Sequence, residues 1–247
     1  TLIAHDIPPS RVSWQTAASP TLFDALFDVQ VLADAPPIAL PRAAAELIDL
    51  VVCHRDRERY GLLYDLVWRL RHGEPALLDV PSDALVHRLS MLAKAVRRDL
   101  HKMHAFLRFR RVPDVDEERY VAWFEPQHFI LEATAQFFVD RFRSLVWSIL
   151  TPIGSLHWDG TALQQGPASA RGAATGHDDF EAGWATYFAS TFNPARLNTG
   201  LMQQHMPKRY WPNLPEAKLI PDLVRNAASR VEGIMTNTPL ASRKKDP

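Results

Sequence analysis

The residues best suited to chemistry are cations and aromatics that alternate within one short segment. Phe106, Arg108 and Arg110 fall on alternate positions of Phe106-Leu107-Arg108-Phe109-Arg110-Arg111-Val112. In an extended strand such positions share a face. Two guanidinium groups beside a ring could hold phosphates while the ring stacks on a base; an ordinary solvated sheet face explains the pattern equally well. A second cluster is Met206-Pro207-Lys208-Arg209-Tyr210-Trp211, two cations followed by two large aromatics. It suits a nucleic-acid groove, with Arg196 upstream as a further cation, or it is a loop pinned by core aromatics. Area favours a mostly buried Trp211, while the cost of desolvating adjacent cations keeps Lys208 and Arg209 in water.

A third set is histidine-rich. His101 and His104 stand three residues apart, a spacing that can share a metal. Matching carboxylate ligands are not evident, so no metal site is expected. Glu125 and His128 offer a general acid–base pair, or a carboxylate and a polar residue at a helix start. Arg141 is open to an ion pair or a phosphate.

The rest of the chain must position these groups. Apolar steps of three and four at Leu85, Leu89, Leu92, Val96, Leu100 and Met103 predict a long helix over 82–103. Helices are also predicted over 43–54 and 58–72, from Pro126 to about Phe142, from Asp178, from Asn193-Pro194 to about Met206, and from Pro221 along Val224, Ala228, Val231 and Met235. Strands are predicted over 106–112, 120–124, 144–150 and 155–163, with an acidic turn, Asp114 to Glu118, joining the first two. The expected class is helix-rich α+β with a small antiparallel sheet. Residues 1–235 are expected as one domain, 1–40 being its weaker part and 236–247 a linker or tail.

Composition narrows the function classes. The 247 residues are 47% hydrophobic and 23% charged, and Lys+Arg balances Asp+Glu at 28 each, so nucleic-acid affinity would have to come from local charge. Residues 51–111 do concentrate it, with thirteen Lys/Arg against seven Asp/Glu, whereas residues 1–50 carry a net −4. A single cysteine, Cys53, excludes an internal disulfide and a four-cysteine cluster, and a cytoplasmic setting is expected. No run of apolar residues is long enough to span a membrane. Phosphate-loop, dinucleotide, zinc-protease and nucleophile-elbow motifs are absent.

Several segments together resemble a bacterial family labelled only by a link to DNA metabolism. They are His101-Lys102-Met103-His104-Ala105-Phe106-Leu107-Arg108-Phe109-Arg110, Trp123-Phe124-Glu125-Pro126-Gln127-His128, Arg141-Phe142, Trp147 with Thr151-Pro152, Phe192 to Asn198, and Met206 to Ala217. They run in the family's order over about residues 80–220, and Leu22 to Asp28 fits its weaker N-terminal part. The resemblance implies two settings. In one, the protein pairs with a radical-SAM enzyme. In the other, it precedes a UdgX-type member of the uracil-DNA glycosylase superfamily, which the tail 236–247 would lead into. An iron–sulfur cluster would then belong to that glycosylase domain, and no cofactor is expected in this chain. The family carries no assigned activity, so no catalytic role transfers to any residue. The expectation is a DNA-repair accessory domain that binds DNA. The alternatives are an enzyme acting on a nucleotide or damaged base, and a docking module for a repair enzyme.

Overall fold

A computed structural model describes residues 1–14, 37–112, 118–171 and 197–227. The chain is α+β, and its residues group into two compact units: Thr1–Ala105 with Glu125–Asp140, and Phe106–Phe124 with Arg141–Pro247.

The first unit is helical. Helices α1 (Arg42–Val51), α2 (Arg59–Arg71) and α3 (Ala84–Phe106) bury one apolar cluster that includes Val51, Leu66, Leu70, Leu85, Leu89 and Leu92. The three-and-four spacing of α3 puts Leu85, Leu89, Leu92, Val96 and Met103 inside, and Asp99 lies on the same stripe. Asp83 starts this helix by accepting the N–H groups of Leu85 (2.9 Å) and Val86 (3.2 Å). Arg69 bridges Asp83 and Glu74, and these bonds hold both carboxyls below their ordinary range.

Helix α4 spans Leu131–Arg141 rather than starting at Pro126. The preceding stretch is instead tied to α3 and to the turn after α1. Gln127 and His128 donate to Asp99, and Phe129 donates to the Cys53 carbonyl at 2.7 Å.

The second unit carries one sheet of five strands in sequential order: β1 (Phe109–Val112), β2 (Arg119–Trp123), β3 (Val146–Thr151), β4 (Gly154–Trp158) and β5 (Leu163–Gly166). The sheet is mixed rather than antiparallel, because β2 and β3 pair in parallel. A parallel pair needs a long crossover, and the chain supplies it in the segment that contains α4. The β3–β4 hairpin absorbs the Thr151-Pro152 motif, with the Thr151 hydroxyl donating to the Gly154 carbonyl at 2.7 Å. β5 is a strand that the sequence merged into its neighbour.

One face of the sheet is apolar, with Ala122, Trp147, Ile149, Leu156 and Trp158 all buried. Phe109 points to this side, meeting Phe142 edge-on at 5.0 Å and Trp147 at 5.9 Å. The pleat therefore sends Arg108 and Arg110 to the other face. After the sheet come α5 (Thr199–His205), capped by Asn198, a 3-10 turn Lys208–Asn213, a second one Pro215–Leu219, and α6 (Ile220–Arg225). The helices expected from Asp178 and from Asn193-Pro194 begin outside the described residues, as do Ala228, Val231, Met235 and the tail.

Candidate functional site

The polar face of the sheet holds a cleft of about 460 Å³ lined by Arg108, Arg110, Val121, Trp123, Arg171, Pro212 and Asn213. Its floor follows from register. Arg110 pairs with Val121 across β1 and β2, and Trp123 is two residues on along the same face. The walls come from two later segments. Ser169 donates its N–H to the Thr151 carbonyl at 3.0 Å, which ties the chain after β5 to the end of β3 and brings Arg171 to the cleft. Arg171 donates to the Asn213 side-chain oxygen at 3.0 Å. Three guanidinium groups thus meet at one cleft, and none of the described residues lining it is acidic. Such a lining suits an anion with several oxygens, since each guanidinium presents a rigid fork of donors.

The 3-10 turn Lys208–Asn213 supplies Pro212 and Asn213 to that cleft and exposes Lys208 and Arg209 to solvent. Tyr210, expected as a base-stacking ring, is instead core. It is 2% exposed and lies between Phe106 at 5.5 Å and Phe124 at 5.3 Å, so both of its faces are covered. Its hydroxyl accepts from Arg209 at 2.6 Å. Trp211, expected as the buried anchor, is half-buried, with its indole N–H donating to the Met206 carbonyl at 3.0 Å. The two aromatics exchange roles because the turn points Tyr210 inward. Phe106 likewise differs from expectation. α3 continues through it, so it is helical, and one ring face is occupied by Tyr210.

The histidine-rich set lies in the first unit. His128 is 9% exposed, and its Nδ1 accepts the Arg55 N–H at 3.3 Å. Its ring lies 4.2 Å from that of His54, whose Nδ1 accepts the Asp56 N–H at 3.0 Å. Burial pushes the His54 imidazole below its ordinary range, against the pull of Asp56. Of the candidate acid–base pair, His128 is thus buried and Glu125 exposed. His104 bonds Thr134 at 2.8 Å and stacks on Phe137 at 3.8 Å. Burial lowers its pKa, with His101 adding to the effect. His101 and Arg141 are exposed. Among the described residues, no three His, Cys, Asp or Glu side chains are placed to hold a metal ion, and no helix is long and apolar enough to cross a membrane.

A family model, DUF4130, a domain of unknown function, matches residues 57–216. The chain belongs to the DUF4130 family. No curated protein and no solved structure matches it. The DUF4130 span contains every residue of the arginine cleft and the aromatic turn, together with His101, His104 and His128, while His54 lies before it. Of the expected nucleic-acid contacts, Arg108 and Arg110 come together in the cleft. Lys208 and Arg209 sit on the turn that supplies part of its wall, and Arg196 lies outside the described residues. Arg171 and Asn213 were not singled out from the sequence. Arg171 sits in a stretch rich in Gly, Ala and Ser, and its position depends on a tether to β3 that no local pattern announces.

Proposed function

We propose that this DUF4130 chain is a nucleic-acid-binding accessory domain of DNA repair, gripping the sugar–phosphate backbone at the arginine cleft. The observation that carries the reading is the convergence of Arg108, Arg110 and Arg171 on one cleft without an acidic lining residue among those described. Phosphate is the anion that rewards several forked donors at once. The chain as a whole is neutral, so attraction is local and the backbone must come to this face. Lys208 and Arg209, both exposed, extend the cationic surface along the turn that ends at Asn213. Chemistry on a lesion then belongs to a partner, and the resemblance to DNA-metabolism proteins suggests a UdgX-type glycosylase or a radical-SAM enzyme for that role.

Fluorescence anisotropy with a labelled single strand and a labelled duplex, at several salt concentrations, tests the reading. Three phosphate contacts predict a log–log salt slope of about −2 for the single strand. Absence of binding to either form at low salt would overturn the proposal.

A further inference from the structure

The sheet face that carries Arg110 has a second cleft beside the first. Register places Arg110, Val121, Ser148, His157 and Gln164 in one row straight across the five strands. Val121 lines the first cleft, and its neighbours Ser148, His157 and Gln164 line the second, together with Arg119 and Asp159. This second space is about 580 Å³. At ordinary strand spacing, about 14 Å separates the backbone positions of Arg110 and His157.

The wall of this cleft is rigid. The His157 ring is held at both nitrogens, Nδ1 at 2.8 Å from the Ser148 hydroxyl and Nε2 at 2.9 Å from that of Ser155. With a hydroxyl against each nitrogen, the ring is held in one orientation. Ser155 is 2% exposed, while Ser148 is half-buried. Gly166 pairs with Ser155, and a Cβ there would fall 2.5 Å from the Ser155 oxygen and 2.9 Å from His157 Nε2. The lock therefore requires glycine at that position. Asp159 is fixed in place, because its Oδ1 accepts the N–H groups of Thr161 and Ala162 and the Thr161 hydroxyl. Beside Val146, Trp147 and Trp158, the lining presents a flat, fixed ring and hydroxyl flanked by a carboxamide and a guanidinium. The ring, held at both nitrogens, offers a flat surface, and the hydroxyl, carboxamide and guanidinium offer donors and acceptors to the edge of a planar polar ligand.

We propose that the second cleft is a nucleobase subsite. A single strand whose phosphates lie on Arg108, Arg110 and Arg171 turns one base over Val121 to meet Ser148, His157 and Gln164. This deepens, and rests on, the nucleic-acid reading above.

Anisotropy of the whole chain with two labelled ten-mers tests it, one of thymidine and one of the same backbone without bases. The base-bearing strand binds about tenfold more tightly, the discrimination that one well-placed set of edge contacts supplies. Gln164→Ala, on an exposed residue of the edge strand, and Ser148→Ala bring that ratio toward one while leaving the abasic strand's affinity unchanged. Equal affinity for the two strands in the unaltered protein would overturn the subsite and leave the backbone reading standing. A ratio unmoved by both substitutions, or an equal loss on both strands, would overturn the subsite as well. No binding of either strand would overturn the nucleic-acid reading itself.

Discussion

The histidine-rich loop of the first unit and the polar sheet face of the second are built from similar residue types, yet they use them differently. In the loop, polar groups are occupied by the protein's own backbone. Asp99, 1% exposed, accepts the N–H groups of Gln127 at 2.7 Å and His128 at 2.9 Å, and His54 and His128 each accept a backbone N–H at Nδ1. On the sheet face, Arg108, Arg110 and Arg171 border open space, and Ser148 and Gln164 border a second opening. The sheet-face groups also have partners within the protein, Asn213 for Arg171 and His157 for Ser148, and what sets them apart is the open space they line. Under the proposed function, the loop is scaffold and the sheet face is the site.

Substitutions that separate stability from binding sharpen the contrast. The largest effect belongs to the aromatic sandwich beneath the turn. Tyr210→Ala destabilises the fold by roughly 3–5 kcal/mol in denaturant unfolding, as large aromatic truncations in cores do, and Trp211→Ala costs less because its indole is half-buried. Next is the loop. Asp99→Ala leaves two buried N–H groups without their carboxylate and costs about 3 kcal/mol, with nucleic-acid affinity of the folded protein unchanged. Arg110→Ala behaves in the opposite way. It weakens single-strand binding about tenfold and flattens the salt slope by about 0.7, the share of one phosphate contact, while the unfolding midpoint stays put. An Arg110→Ala protein that loses stability but not affinity would assign the sheet face to scaffold.

The smallest effect is on pH dependence, and it too divides the regions. Burial lowers the pKa of His54 and of His104, so the unfolded chain binds more protons than the native one as pH falls below about 6.5. Stability present above that value is lost as pH drops through the depressed folded values. Thermal unfolding at pH 7.5 and 5.5 therefore shows a lower midpoint in acid, and His104→Gln reduces the difference. The carboxyls of Glu74 and Asp83, held low by Arg69, add a loss only at lower pH, below their ordinary range near 4.

Much of this was legible in residue order, for a physical reason. The period of α3 and the alternation of Arg108, Phe109 and Arg110 are local properties, and the structure keeps both. What escaped depends on partners distant in sequence. Asp99 reads as one acid opposing a run of bases, yet it lies on the buried stripe of α3 and captures a loop 28 residues away. Pro126 followed by His128 reads as a helix start, yet α4 begins at Leu131 and the stretch before it is tied to Asp99 and the Cys53 carbonyl. The parallel pairing of β2 with β3, which sets Val121 of one cleft beside Ser148 of the other, cannot be read from either strand alone. Tyr210 and Trp211 are adjacent and alike in type, so only the orientation of the turn assigns one to the core.

The most direct test of the central claim is residue-resolved. Backbone amide NMR shifts of the labelled chain are recorded with and without a single-stranded oligonucleotide. The account predicts perturbations at Arg108 to Arg110, Val121, Arg171 and Asn213, with His54, Asp99 and His128 unmoved. Perturbations centred on His54 and His128, with the sheet face silent, would contradict it.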